Sequence, residues 1–149
     1  MKVQLGSISH GTMRSEDLIP VFLDELETLA REAGEIDRFA TLKEECDEWL
    51  NEDEDERDDE QGDLLVDYLF DALNEYAPSF TYFGAHPGDG SDYGFWADIE
   101  SAREQCEYVG DGEPEEGFQG EWLHINDHGN VTLYVRDEDG NDEEVWSVV

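Results

Sequence analysis

From Asp63 to Glu75 a carboxylate recurs every fourth residue (Asp63, Asp67, Asp71, Glu75) within the stretch NEDEDERDDEQGDLLVDYLFDALNEYAP, residues 51–78. That spacing places the four side chains in one column along a helix. The column has to meet water or cations, and the leucines opposite have to meet a core. Like charges at i,i+4 also oppose the helix, by roughly 0.2–0.5 kcal/mol per pair. Any fold of this chain must therefore bury enough apolar surface behind the column to outweigh three such pairs. Just upstream, residues 51–63 hold nine acids and one arginine, Arg57, and read either as a loop or as a charged extension of the helix.

The same bias runs through the whole chain. Forty-two acids face eight bases, a formal net charge of -34 over 149 residues. A small domain stays soluble with a net charge of about 2–8 in magnitude, and self-repulsion beyond that costs stability. The field excludes unaided binding to duplex DNA, RNA or an anionic membrane leaflet, and it attracts basic surfaces. There is no apolar run near the length of a membrane span, and no basic segment leading into an apolar one. The expectation is a chain that neither crosses a membrane nor carries a secretory signal, in a cytoplasmic setting. Disorder does not fit, because hydrophobic residues make up 38% of the chain and include four Trp, seven Phe and six Tyr. Cys46 and Cys106, on unrelated segments with no CxxC, read as two free thiols.

The pattern divides into a helical first half (about 15–77) and a strand-rich second half (about 79–149), read as a single domain over 1–149. Helix one is SEDLIPVFLDELETLAREAG. Asp17 is its expected N-cap, with Pro20 in the first turn and Gly34 as the stop. Phe22, Leu26, Leu29 and Ala33 form its buried stripe, with Ile19 and Leu23 at the edges. Helix two, 37–50, puts Phe39, Leu42, Cys46, Trp49 and Leu50 on one face and Glu44, Glu45, Glu48 and Glu52 on the other. Helix three, about 62–76, is expected to bury Leu64, Leu65, Tyr68, Leu69, Ala72 and Leu73 before Pro78. Strand patterns follow at 80–86, 93–99, 121–127, 131–137 and 143–149, with DHGN and DEDGND as hairpin turns. Residues 1–13 suit a short strand or an ordered arm, and ESAREQCEYV (100–109) a short helix or a crossover. The fold class is α+β, with N-terminal helices packed on a C-terminal antiparallel sheet of hairpins.

No catalytic motif or cofactor signature is legible. GAHPGDGSDYGFW, residues 84–96, reads first as a wide loop whose glycines turn the chain. Its D-x-x-D spacing is not that of a calcium-binding EF-hand loop, and no lysine stands nearby to hold a phosphate. A small metal-binding enzyme centred on His86, Asp89, Asp92 and Trp96 is one alternative. His10, His124 and His128 add no convergent ligand set. There is no G-x-S-x-G, and Cys46 lies on an apolar helical face, the usual place of an inert thiol.

The acids themselves are the stronger candidate. Glu52, Asp53, Glu54, Asp55, Glu56, Asp58, Asp59, Glu60, Asp63, Asp67, Asp71 and Glu75 are expected to bind a partner by pairing with lysines and arginines that otherwise hold phosphates. Duplex DNA carries one negative charge per ~1.7 Å, so a net charge of -34 matches roughly 58 Å, or about 17 base pairs, of duplex. A second alternative is a domain adapted to high salt, since Lys2 and Lys43 are the only lysines.

Two stretches, SISHGTMRSEDLIPVFLDEL (7–26) and YFGAHPGDGSDYGFW (82–96), resemble a family of small acidic proteins encoded by bacteriophages and prophages. The resemblance implies a mobile-element origin, the cytoplasm of an infected bacterium and no catalytic residue. The charge pattern separately resembles that of phage and plasmid DNA mimics, among them anti-restriction and anti-CRISPR proteins. It implies a partner that is a basic nucleic-acid-binding host protein, either a CRISPR effector or a restriction enzyme.

Overall fold

Helix α1 (Ser15–Glu32) opens the described chain's helical part, and its apolar residues explain where it begins. The computed structural model describes residues 3–148; Met1, Lys2 and Val149, the ends of two expected segments, lie outside the described residues. Leu18 and Ile19 are buried together with Phe22, Leu23, Leu26, Leu29 and Ala30. Burying Leu18 and Ile19 draws the helix start back to Ser15, so Arg14 rather than Asp17 stands at the N-cap and no side chain caps it. Asp17 instead accepts a hydrogen bond from Thr12 Oγ1 at 2.7 Å. Pro20 consequently lies inside the helix and not in its first turn, on the exposed face. Ala33, expected in the stripe, is exposed at the C-cap. Gly34 ends the helix as expected, with φ +74°. The Glu35 N–H donates to the Ala30 carbonyl at 2.7 Å and the Gly34 N–H to Arg31 at 3.1 Å, the two bonds of a Schellman motif.

Helices α2 (Ala40–Asn51) and α3 (Asp59–Asn74) complete the helical part. Between them the acid run is a loop with a turn at residues 54–56, and α3 starts one turn earlier than the acid–apolar boundary suggests. The start is set by Asp58, whose side chain accepts from the Glu60 N–H at 3.0 Å. The face that α3 buries is rotated from the expected one. Gly62, Val66, Leu65, Leu69, Ala72 and Leu73 are buried, whereas Leu64 and Tyr68 remain 41% and 44% exposed. The physical reason is Trp49 of α2, whose ring lies against Gly62 and pulls that side of α3 inward. Leu65, Leu69 and Leu73 are fully buried, each contributing about 1.5–3 kcal/mol. Three repulsive pairs in the acid column cost about 0.6–1.5 kcal/mol together, so burial wins.

Strands make two sheets. One has the order β1–β3–β2, from Gly6–Ser9 (β1), Asp89–Ala97 (β3) and Thr81–His86 (β2). Its Phe83 and Tyr93 meet Phe22 of α1 edge-on, at 5.1 and 5.6 Å between ring centres, and Phe70 of α3 joins the same cluster. Asn74, at the end of α3, clamps the outer strand: its Nδ2 donates to the Phe83 carbonyl at 3.0 Å and its Oδ1 accepts from the Phe83 N–H at 2.8 Å. The other sheet has the order β4–β5–β6–β7 (Tyr108–Gly110, Gly120–Ile125, Val131–Arg136, Asp142–Val148), antiparallel except for the parallel β4–β5 pair. Helix α4 (Ile99–Gln105) precedes it, and Ala102 packs into a core with Leu123, Val131, Leu133 and Trp146.

The two hairpins of this sheet share one turn design. Asn126 Oδ1 accepts from the His128 and Asn130 N–H groups, and Asp137 Oδ1 from those of Asp139 and Asn141. Gly129 and Gly140 take φ near +80°, a conformation that glycine adopts without a Cβ penalty. The protein is α+β, and among the described residues it groups into two compact units, 7–77 with 83–94 and 3–6 with 78–82 and 95–148. No helix among the described residues is long and apolar enough to cross a membrane.

Candidate partner-binding surface

All twelve predicted contact acids belong to the first unit and all are exposed. Their placement follows from the α2–loop–α3 connection. Trp49 Nε1–H donates to the Asp58 carbonyl at 3.0 Å, which ties the loop's exit to α2. Arg57 then folds back over the loop. Its guanidinium lies 5.1 Å above the Trp49 ring and donates to the carbonyls of Leu50 at 2.7 Å and Glu52 at 3.2 Å. The one cation of this segment is thus spent on holding backbone, and its nearest carboxylate is Glu16 at 3.4 Å. Glu52, Asp53, Glu54, Asp55 and Glu56 are left pointing outward on the anchored loop.

Local physics explains some of these acids without any partner. Asp58 caps α3, and Asp59 and Glu60 sit in its first turn, where the helix dipole favours negative charge. Asp63 accepts from Ser15 Oγ at 2.8 Å, Glu54 lies 3.8 Å from Arg14, and Glu75 pairs with Arg38 at 2.7 Å. The remainder have no such account. The Asp67 and Asp71 side chains make no hydrogen bond or ion pair among the described residues, and Asp71 and Glu75 lie toward the negative end of α3. Neither α2 nor α3 has a basic residue in its last turn. A carboxylate placed there costs typically 0.3–1 kcal/mol.

Beside the acid column runs a feature that the sequence pattern concealed. Between α2 and α3 an open groove of about 610 Å³ is walled by Phe39, Leu42 and Tyr68 and rimmed by Glu45, Asp71 and Glu75. Arg38 sits at its margin, 5.1 Å over the Phe39 ring, donating to Glu35 at 3.2 Å and to Glu75 at 2.7 Å. Glu35 also accepts from the Tyr76 hydroxyl at 2.7 Å. These bonds hold the Glu35 carboxyl below its ordinary range, the Tyr76 hydroxyl first and Arg38 second. The sequence signal for the groove is Tyr68, an aromatic residue set between the column acids Asp67 and Asp71.

The 84–96 stretch is a tight hairpin instead of a wide loop. β2 and β3 are joined by Pro87 and Gly88 alone, so Asp89 and Asp92 are strand residues. Three positions apart on a strand, they project to opposite faces. Asp89 accepts from the Ser91 N–H and Oγ at 3.0 and 2.9 Å, bonds that hold its carboxyl below the ordinary range. His86 Nδ1 accepts from the Gly88 N–H at 2.9 Å. Asp92 Oδ1 is buried without a hydrogen-bond partner. Among the described residues no three His, Cys, Asp or Glu side chains gather to hold a metal ion. Both cysteines are free thiols, and burial pushes Cys46 up to about 11.

No protein-family model, curated protein or solved structure matches this chain.

Proposed function

We propose that this protein is a phage-encoded, non-enzymatic inhibitor that occupies the nucleic-acid-binding surface of a bacterial defence protein, a CRISPR effector or a restriction enzyme. It would do so by presenting a duplex-like density of carboxylates. One observation carries the reading: Asp67, Asp71 and the loop acids Glu52, Asp53, Asp55 and Glu56 are exposed on a braced scaffold. Arg14, Arg38, Lys43 and Arg57 are paired with other acids of the same unit, Arg14 reaching the loop only at Glu54 and Arg38 the column only at Glu75. The negative face is therefore only partly neutralised from within, at Glu54 and Glu75. It is rigid, since Trp49, Asp58 and Arg57 fix the loop, and a preorganised face loses little freedom on docking. An incoming groove of lysine and arginine would replace its own phosphate contacts with these carboxylates and relieve the repulsion along α3.

The experiment is a binding titration against a purified CRISPR effector and a restriction endonuclease, from about 50 to about 500 mM salt, with duplex competitor. Affinity is expected to fall by roughly tenfold or more across that range, with duplex displacing the inhibitor, because charge pairing dominates. Converting the acids of 52–75 to amides is expected to abolish the complex. Binding indifferent to salt, or surviving the amide replacements, refutes the proposal.

A further inference from the structure

Charge alone brings partners together quickly but does not keep them together. Durable interfaces are anchored by a few desolvated aromatic and arginine contacts, and the acid loop itself carries no aromatic residue between Trp49 and Tyr68. The α2–α3 groove borders the acid column and is walled by two aromatic rings, Phe39 and Tyr68, whereas the Trp49 ring beside Asp63 is already covered by Arg57. We infer that this groove receives an arginine side chain of the cationic partner, with the guanidinium stacked on Tyr68 and paired with Asp71 and Glu45. The inference rests on the inhibitor reading above and deepens it by naming the anchor.

Three observations select arginine. The groove's walls are apolar and aromatic while its rim is acidic, so an apolar occupant would desolvate Asp71 and Glu45 without supplying them a partner. A lysine ammonium is a strongly hydrated point charge, whereas a guanidinium is planar, stacks on rings and forks onto carboxylates. The chain also demonstrates this chemistry on the same groove. Arg38 already lies over Phe39 while bonding Glu75 and Glu35. Tyr68, 44% exposed, and Asp71 on the next turn of α3 repeat that ring-and-carboxylate pairing without a guanidinium of the chain's own.

The test uses the full chain and two short peptides of equal length and charge, one built on arginine and one on lysine, each titrated at low and at high salt. The arginine peptide is expected to bind about tenfold tighter. Tyr68→Ala should erase that preference while leaving the salt dependence unchanged, and Tyr68→Phe, which keeps the ring, should retain it. Asp71→Asn should weaken the arginine peptide more than the lysine peptide. Equal binding of the two peptides, or a preference that survives Tyr68→Ala, overturns the groove assignment. In either of those cases a steep salt dependence leaves the acid-face reading standing. Failure of both peptides to bind at low salt overturns the two together.

Discussion

Replacing Gly62 by alanine sets two effects of opposite sign against each other. Alanine in place of glycine inside a helix stabilises it by about 1 kcal/mol. At this position, however, an added Cβ would overlap Trp49 Cζ2 and come within 3.0 Å of Cε2 and Cη2. The indole has little room to retreat. It is 5% exposed, Arg57 lies over one face, and its N–H is bonded to the Asp58 carbonyl. Overpacking costs about 1–3 kcal/mol, and loosening the indole hydrogen bond adds about 0.5–1.5 kcal/mol. The net expectation is a destabilisation of about 2 kcal/mol, or about 4–8 °C in Tm for a chain of this size. Urea unfolding of Gly62→Ala, Trp49→Phe and the double variant would measure it. The alanine should be harmful beside tryptophan and neutral or helpful beside phenylalanine, a coupling that neighbours in contact display. If Gly62→Ala raised the unfolding midpoint in the native background, helix propensity would have prevailed, and the account of how α2 orients α3 and its acid column would be wrong.

Gly34→Ala should cost about 1–2 kcal/mol, read as a lower urea midpoint, since its φ of +74° is one that a Cβ disfavours. Asp142 accepts two 2.8 Å bonds from Arg136 and one of 3.0 Å from Trp122 Nε1–H, and Arg136 above all holds its carboxyl below the ordinary range. A depressed folded value stabilises the protein above the unfolded carboxylate range, so the advantage over Arg136→Met should be full at neutral pH. It should shrink as pH falls through the folded value; an advantage that grows on acidification refutes the assignment. Cys46, fully buried and raised to about 11, should label with a thiol reagent at mildly alkaline pH only as fast as the fold opens, and Cys106 faster. Equal rates for the two would contradict the packing of α2.

Features decided by neighbouring residues were legible in the sequence. The stop at Gly34 and the Asx-glycine turns at Asn126 and Asp137 depend on backbone conformations that only a few residue types favour, and they stand where the pattern put them. The exposure of the twelve acids was legible for a similar reason, since an unpaired carboxylate is costly to bury. Choices settled by distant contacts were hidden. Whether Leu64 or Val66 faces inward depends on where Trp49 lands, and the periodicity of α3 accommodates either. Pro20 enters the helix because Leu18 and Ile19 are wanted in the core. The extension of β3 through Gly90, Ser91 and Asp92 is not legible because those residues are poor strand formers, and the strand's place between β1 and β2 in the sheet is settled by distant parts of the chain. The groove was hidden by the same rotation that exposed Tyr68.

The way Arg57 is held bears on how this molecule meets proteolysis. It is the sole lysine or arginine between Lys43 and Arg103, with a side chain only 17% accessible and followed by Asp58. A trypsin-like protease, which needs a free lysine or arginine to enter its pocket, finds just one target along that length, and that target is engaged by the Leu50 and Glu52 carbonyls. The negative face should thus outlast digestion as one intact fragment under conditions that clip the termini, and peptide mapping of this region will call for an enzyme that cuts at acidic or aromatic residues.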